Sequence, residues 1–273
     1  MISNPIRELK AQGKPVVNGW LTMGSSFAAE IQAELGFDSL TADMQHGLLD
    51  YRDALAIFST LRASGVAPLS RVPWLEPGII MKTLDAGALG IICPMINNRE
   101  QAETLVSYSH YPPQGSRSFG PIRASVSVGS DYVEKANDTI VCLAMVETAE
   151  AYEKRDEIVS TPGLDGIYIG PSDLALGLHD GRMGVGFDRR EKEILDPIKR
   201  ILESAKRHHV IAGIHCGSAE YAADAIGWGF DLVTLSSDAR LLVEAATARL
   251  AKIRSLLGDE DSSPDGASGA GGY

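Results

Sequence analysis

The sequence predicts an α/β protein of the (β/α)8 (TIM) barrel class, and three observations predict it. Apolar runs of strand length occur eight times, separated by turn signals and segments with helical spacing. At 273 residues the chain exceeds a typical single domain but suits a barrel, which folds as one unit well past ~200 residues. No G-x-G-x-x-G or Walker pattern follows an early strand, whereas a doubly wound sheet usually carries a glycine-rich first turn and fewer units.

In chain order, VVNGWLT (16–22) is the first run, and SFAAEIQAEL (26–35) follows it with helical spacing. DSLTAD (38–43) ends in an acid and leads to the helical YRDALAIFSTLRA (51–63); APLSR (67–71) ends in a cation. LGIICP (89–94) stops at proline and precedes REQAETLVSY (99–108). The long connection from Pro94 to Ile140 holds YPPQGSRSFGPIRASVSVG, whose proline and glycine density reads as an ordered active-site loop, with Arg117 and Arg123 facing a substrate. IVCLAMVE (140–147) ends in an acid, and DGIYIG (165–170) continues into PSD. The helix EKEILDPIKRILESAKRH (191–208), the strand VIAGIHC (210–216), the helix SAEYAADAIGWG (218–229) and the strand FDLVTLS (230–236) complete the set. Such alternation implies a parallel sheet. Residues 1–257 are expected to form one domain, and 258–273, acidic and then rich in Gly and Ser, a flexible tail with too little apolar surface to order itself.

A hydrophobic share of 44% with 22% charged residues provides for a sizeable core. The net charge of −11 argues against nucleic-acid and anionic-membrane partners, both of which select clustered Lys and Arg. No h-region opens the chain and no 18-residue apolar stretch occurs, so neither secretion nor membrane spanning is expected. Cys93, Cys142 and Cys216 lie in apolar runs without metal-ligand spacing, which suits free buried thiols in the cytoplasm.

In a barrel, chemistry collects where strands end. There the second run delivers Asp43 and His46, the third Arg71, the fifth Glu147, the sixth Asp173 and the seventh His215. Glu147 and Asp173 follow apolar runs, where an ionised carboxylate needs a partner; on adjacent strands they repel each other and invite a cation such as Mg²⁺ or Mn²⁺. Arg71 suits a developing oxyanion, and His46, oriented by Asp43, suits a general base. Each has an ordinary alternative: a helix cap, an ion pair, a satisfied core histidine. The helix start at Ser172 and Asp173 offers N–H groups to a carboxylate. These parts together describe a site for a 2-oxo acid.

The motifs DMQHG, SRVPW, DAGALGIICPMI, YPPQGSRSFGP, VETAEA and GIYIGPSDLALGLH, in this order, resemble the HpcH/HpaI aldolase family over roughly residues 5–255. The resemblance implies a barrel of the phosphoenolpyruvate/pyruvate-type superfamily and a class II aldolase. Such an enzyme cleaves 4-hydroxy-2-oxo acids, of the 4-hydroxy-2-oxoheptanedioate or 2-keto-3-deoxy sugar acid type, to pyruvate and an aldehyde through the pyruvate enolate. It further implies Glu147 and Asp173 as ligands of Mg²⁺, Mn²⁺ or Co²⁺, with no organic cofactor; His46, oriented by Asp43, as proton carrier; and Arg71 beside the enolate oxygen. Gly170, Ser172 and Asp173 would hold the pyruvate carboxylate. The implied assembly is a hexamer, a trimer of dimers, exchanging the helix around 238–256, and the implied setting is aromatic compound catabolism.

Arg123 is a candidate for an acidic aldehyde. Two positions depart from the family pattern and bear on substrate identity: Met145 stands where many relatives carry Gln, a change that would lose a pyruvate-side hydrogen bond, and His215 where an aliphatic residue is common, a change that would add a polar contact to the substrate. Lys82, the nearest lysine to a strand end, lies in a helical stretch, which disfavours a Schiff base. Citrate lyase β-like or malyl-CoA lyase chemistry, and a non-catalytic 2-oxo-acid-binding barrel, are the alternatives; the lyases need a basic path for coenzyme A, and the sequence shows no such cluster.

Overall fold

The computed structural model describes residues 4–258, in which eight parallel strands close into a barrel in chain order. They are β1 (Val16–Leu21), β2 (Ser39–Asp43), β3 (Ala67–Arg71), β4 (Gly90–Cys93), β5 (Val141–Met145), β6 (Gly166–Ile169), β7 (Ile211–Cys216) and β8 (Leu232–Leu235). All eight expected runs therefore form strands. Their near-continuous apolar character has a physical cause, because helices cover the outer face and side chains fill the inner one. Neighbours divide accordingly: Ile91 of β4 packs in the layer between sheet and helices, and Ile92 packs in the barrel interior with Trp20, Leu143 and Tyr168.

The helices start where local chemistry favours it. Asp50 and Asp53 form a reciprocal capping box at Tyr51–Thr60, and Ser218 caps Ala219–Trp228. At the N-terminal mouth the helix Pro5–Ala11 plugs the barrel, Asn4 donating to the carbonyls of Leu89 (2.9 Å) and Thr139 (2.8 Å). Around the same mouth Asp38, Asp165 and Asp231 accept from the amides of Val17 (2.8 Å), Cys142 (2.8 Å) and Ala212 (2.9 Å) on adjoining strands.

One expectation is corrected here. Within the connection between β4 and β5, the segment 111–129 is not brought to the strand-end mouth: after Arg99–Ser109 it leads through the helix Ile122–Ser127 into the helix Tyr132–Thr139. Arg117 is buried in it, paired with Asp85 at 2.7 Å and donating to the Tyr132 hydroxyl at 3.0 Å. Arg123 donates to the carbonyls of Ala86 and of Phe58, the latter at 2.9 Å, and lines a recess with Pro68 and Leu89 at the strand starts. That is the end of the barrel opposite the chemistry, so Arg123 is not brought to the site within this chain. The proline and glycine density marked irregular backbone correctly and said nothing about which face it covers.

All three cysteines are free and buried. Among the described residues no helix is long and apolar enough to cross a membrane. The last helix, Asp238–Leu257, is caught at its start by Asp238, which accepts from the amide and hydroxyl of Thr22 at 2.8 and 2.6 Å. Apart from Gly258, its left-handed cap, the expected tail lies outside the described residues.

Candidate active site

Strand register builds the site. Asp43 and Arg71 are direct partners on β2 and β3, which sets their side chains level. Arg71 Nε donates to Asp43 Oδ1 at 2.7 Å and Nη2 to Oδ2 at 2.6 Å, a bidentate pair almost sealed from solvent. Trp20 of β1 donates its indole N–H to Asp43 Oδ2 at 3.1 Å, and the Arg71 guanidinium lies 4.9 Å over the same indole. Asp43 Oδ1 also accepts from the amides of Gln45 (3.1 Å) and His46 (3.3 Å). Five donors fill a carboxylate that offers about four lone-pair sites. The expected role of Asp43 thus shifts: it holds Arg71 and shapes the turn that carries His46, rather than serving chiefly as orienter of the imidazole. Burial pushes its carboxyl up, but the Arg71 hydrogen bonds and charge prevail and hold it below the ordinary value.

His46 lies in the turn after β2, exposed at the mouth of the barrel. Burial and the charge of Arg71 lower its pKa, against the opposing pull of Asp43 and Asp173, which favours the neutral imidazole.

Glu147 follows β5 by two residues and is 2% exposed, deep enough that a lone charge is costly. Its Oε1 accepts from the Met95 amide at 2.9 Å, which Met95 reaches in a left-handed backbone conformation, φ 58°, unfavourable for a residue with a Cβ. Its Oε2 is buried with no hydrogen-bond partner. Burial first, and then the charge of Asp173, raise the Glu147 pKa to about 7, against the Met95 amide and Arg71. Asp173 stands in the first turn of the helix Pro171–Leu178, not at the strand end itself. A Cβ on Gly170 would lie 2.6 Å from Glu147 Oε2 and 3.8 Å from Asp173 Oδ2, so glycine keeps open the space that both carboxylates face.

This arrangement fits a divalent cation: two hard oxygen donors, one of them an orphaned buried oxygen, beside a space no side chain fills. Among the described residues no group of three or more His, Cys, Asp or Glu could hold a metal, so a cation here keeps positions for water or substrate.

Arg71, Met145, Tyr168, Gly170, Ser172, Asp173, Phe187 and His215 line one narrow cleft. A larger recess of about 780 Å³ adjoins it at Phe187, but it opens outward in the connection after Leu178 and contains neither Glu147 nor Asp173. Chemistry belongs to the small cleft. Gly170, the residue before the helix, provides no side-chain cap to the first turn, where the helix N-terminus favours negative charge. The structure therefore brings together Asp43, His46, Arg71, Glu147, Gly170, Ser172, Asp173 and His215, and leaves Arg123 outside. Sequence reasoning missed Trp20, Tyr168 and Phe187. The first two occupy strand positions where an aromatic residue reads as core, and Phe187 sits in a connection with no distinguishing pattern.

A closed parallel barrel with this cleft at its C-terminal mouth is a (β/α)8 barrel, and the family it matches places it among the carbon–carbon lyases. The model of the HpcH/HpaI aldolase/citrate lyase family matches residues 19–245, and the chain belongs to that family. It is 41% identical to a hydroxypyruvate/pyruvate aldolase of Rhizorhabdus wittichii over 93% of this chain and 100% of the relative. It is 32% identical to a 2-keto-3-deoxy-L-rhamnonate aldolase of Escherichia coli, over 93% of this chain and 95% of that one. A crystal structure of a HpcH/HpaI aldolase/citrate lyase family protein from Burkholderia cenocepacia superposes with a TM-score of 0.84 at 30% identity, covering 91% of this chain and 98% of that one. The chain is thus an enzyme of aldolase type, and the family and fold expected from the motifs are borne out.

Asp43→Asn keeps the shape but removes the charge that balances Arg71. Stability should fall by about 3–5 kcal/mol, since a buried guanidinium loses its counter-ion. Urea unfolding measures this, and a loss below about 1 kcal/mol would contradict the central place given to the pair.

Proposed function

We propose that this chain is a divalent-metal-dependent aldolase that reversibly cleaves 4-hydroxy-2-oxo acids to a 2-oxo acid, pyruvate or hydroxypyruvate, and an aldehyde. One observation carries the reading: the orphaned Glu147 Oε2 faces the same open space as Asp173, beside a cleft that also holds Arg71. The names of the relatives from Rhizorhabdus wittichii and Escherichia coli support the substrate class.

Glu147 and Asp173 are the ligands of Mg²⁺, Mn²⁺ or Co²⁺. When bound, the metal draws charge from the keto group of the 2-oxo acid and so acidifies the adjacent carbon. Arg71, fixed by Asp43, presents a cation to the oxyanion that develops as the carbon–carbon bond breaks. The first amides of Pro171–Leu178, at Ser172 and Asp173, take the substrate carboxylate. His46, favoured in its neutral form, accepts the proton of the C4 hydroxyl in cleavage and returns it in condensation. Among the described residues no lysine lines the cleft, and Lys82 lies over the ring of Tyr51, which argues against a Schiff base. No organic cofactor is required. Met145 gives the cleft an apolar wall where a Gln would donate a hydrogen bond.

The assembly belongs to the same proposal. Leu242, Leu250, Ile253, Leu256 and Leu257 of the last helix are each more than half exposed, a stripe that a neighbouring subunit would bury in a hexamer built as a trimer of dimers. Three buried free thiols suit the cytoplasm.

Three outcomes are expected. After EDTA treatment, restoring Mg²⁺, Mn²⁺ or Co²⁺ revives release of the 2-oxo acid from 4-hydroxy-2-oxoheptanedioate or 2-keto-3-deoxy sugar acids, and Glu147→Ala lowers it by about 1000-fold or more. Release that persists without metal or in Glu147→Ala sinks the mechanism. Because protonated Glu147 is a poor ligand, metal binding expels its proton, and Mn²⁺ affinity measured by calorimetry falls by up to about tenfold per pH unit below about 7, levelling off above. An affinity unchanged across that range would contradict Glu147 as ligand. Leu250→Glu with Ile253→Glu reduces the assembly to smaller species in mass photometry while the barrel's circular dichroism persists; an unaltered mass removes the helix from the interface.

A further inference from the structure

His215 has no part in the machinery above, yet the barrel interior is built around it. It pairs in register with Thr234 of β8, Thr234 with Asn18 of β1, and Asn18 with Ser39 of β2, so four strands place polar residues on one level. A hydrogen-bond chain joins them. Asn18 Oδ1 accepts from the hydroxyls of Ser39 (2.8 Å) and Thr41 (3.0 Å), which fixes the amide so that Nδ2 donates to Thr234 Oγ1 at 2.9 Å. Tyr168 donates its hydroxyl proton to Thr234 Oγ1 at 2.7 Å. Having given its one proton away, the Tyr168 oxygen accepts from His215 Nδ1 at 3.2 Å, so Nδ1 carries the ring proton. Nε2 is then the lone-pair nitrogen.

The ring is held on both sides, edge-on to Trp20 at 5.0 Å and stacked on Phe187 at 4.5 Å. Burial and the charge of Arg71 push its pKa down to about 3, so it stays neutral in the working range. Among the described residues Nδ1 makes the ring's only hydrogen bond. His215 nonetheless lines the cleft with Arg71, Ser172 and Asp173. With Nδ1 committed to Tyr168, a fixed acceptor is what His215 offers there.

We infer that His215 Nε2 accepts a hydrogen bond from a hydroxyl on the 2-oxo acid partner, making this chain selective for a hydroxylated donor such as hydroxypyruvate over pyruvate. This rests on the aldolase reading. A methyl group in the same place leaves a buried acceptor unpaired, a penalty that discriminates more strongly than added apolar contact would. The network is what confers the preference, because the other tautomer would present a donor to the cleft.

The test is competition between hydroxypyruvate and pyruvate for one aldehyde, glyceraldehyde, with Mg²⁺ present; the ratio of the two products reports the ratio of kcat/KM values. The wild-type protein should favour hydroxypyruvate. His215→Leu should lower that preference by about tenfold or more while pyruvate condensation continues, whereas His215→Gln, which restores an acceptor, should stay within about threefold of wild type. Tyr168→Phe leaves the imidazole in place but frees its tautomer, and should fall between them. If His215→Leu does not fold, Tyr168→Phe decides alone, and an unmoved ratio there overturns the assignment. An unmoved ratio in a folded His215→Leu that still condenses pyruvate overturns only the role of His215. A wild-type protein that condenses neither donor with any of the three metals overturns the aldolase reading and this inference with it.

Discussion

The Asp43–Arg71 pair is the interaction on which the site depends. Withdrawing two charges from water costs more than most ion pairs return, so the pair is a poor way to gain stability. It is retained at 2.6 and 2.7 Å because parallel register sets the two residues level and because Trp20 donates to the same carboxylate. The fixed cation acts on every titrating group around it. Its charge opposes the proton on His46 and on His215, and it partly offsets the cost of ionising Glu147. Without it the two imidazoles would hold protons more readily and Glu147 would ionise less readily, which is the wrong direction for the base, acceptor and metal-ligand roles proposed for them.

Glu147 is the counterpart, a group the fold leaves unsatisfied. Folding alone would favour an apolar residue or a complete set of donors at a position 2% exposed. Instead Met95 takes a left-handed backbone to satisfy one oxygen, and Gly170 withholds a side chain so that the other meets nothing. Two departures from good local structure around one carboxylate form a coherent pattern only if the oxygen serves something outside the chain.

How much of this was legible follows from the kind of signal each residue leaves. All eight strands were readable, because strands covered on both faces are short, near-continuous apolar runs. Asp43, Arg71, Glu147 and Asp173 were readable as charges at or just beyond such runs. Trp20 and Tyr168 were not, since an inward aromatic on a barrel strand has the same pattern whether it fills space or donates a proton. Arg123 was misplaced because a loop signal describes backbone and not the face it covers.

A sharper rule distinguishes the acids. Asp38, Asp165 and Asp231 stand immediately before strands and are consumed there, each accepting the amide of an adjoining strand. Asp43, Glu147 and Asp173 close or follow strands, at the mouth where connections vary and where the cleft lies. The side chains are nearly equivalent chemically. Their difference is positional: at the N-terminal mouth, strand-start amides and the plugging helix supply donors, whereas at the C-terminal mouth the donors come from a side chain such as Arg71 or from connection backbone such as Met95 and Thr22. In this barrel an acid just before a strand is thus consumed by its neighbour's backbone, whereas acids after strands include both those at the cleft and the structural Asp238, so position narrows the candidates where residue type does not.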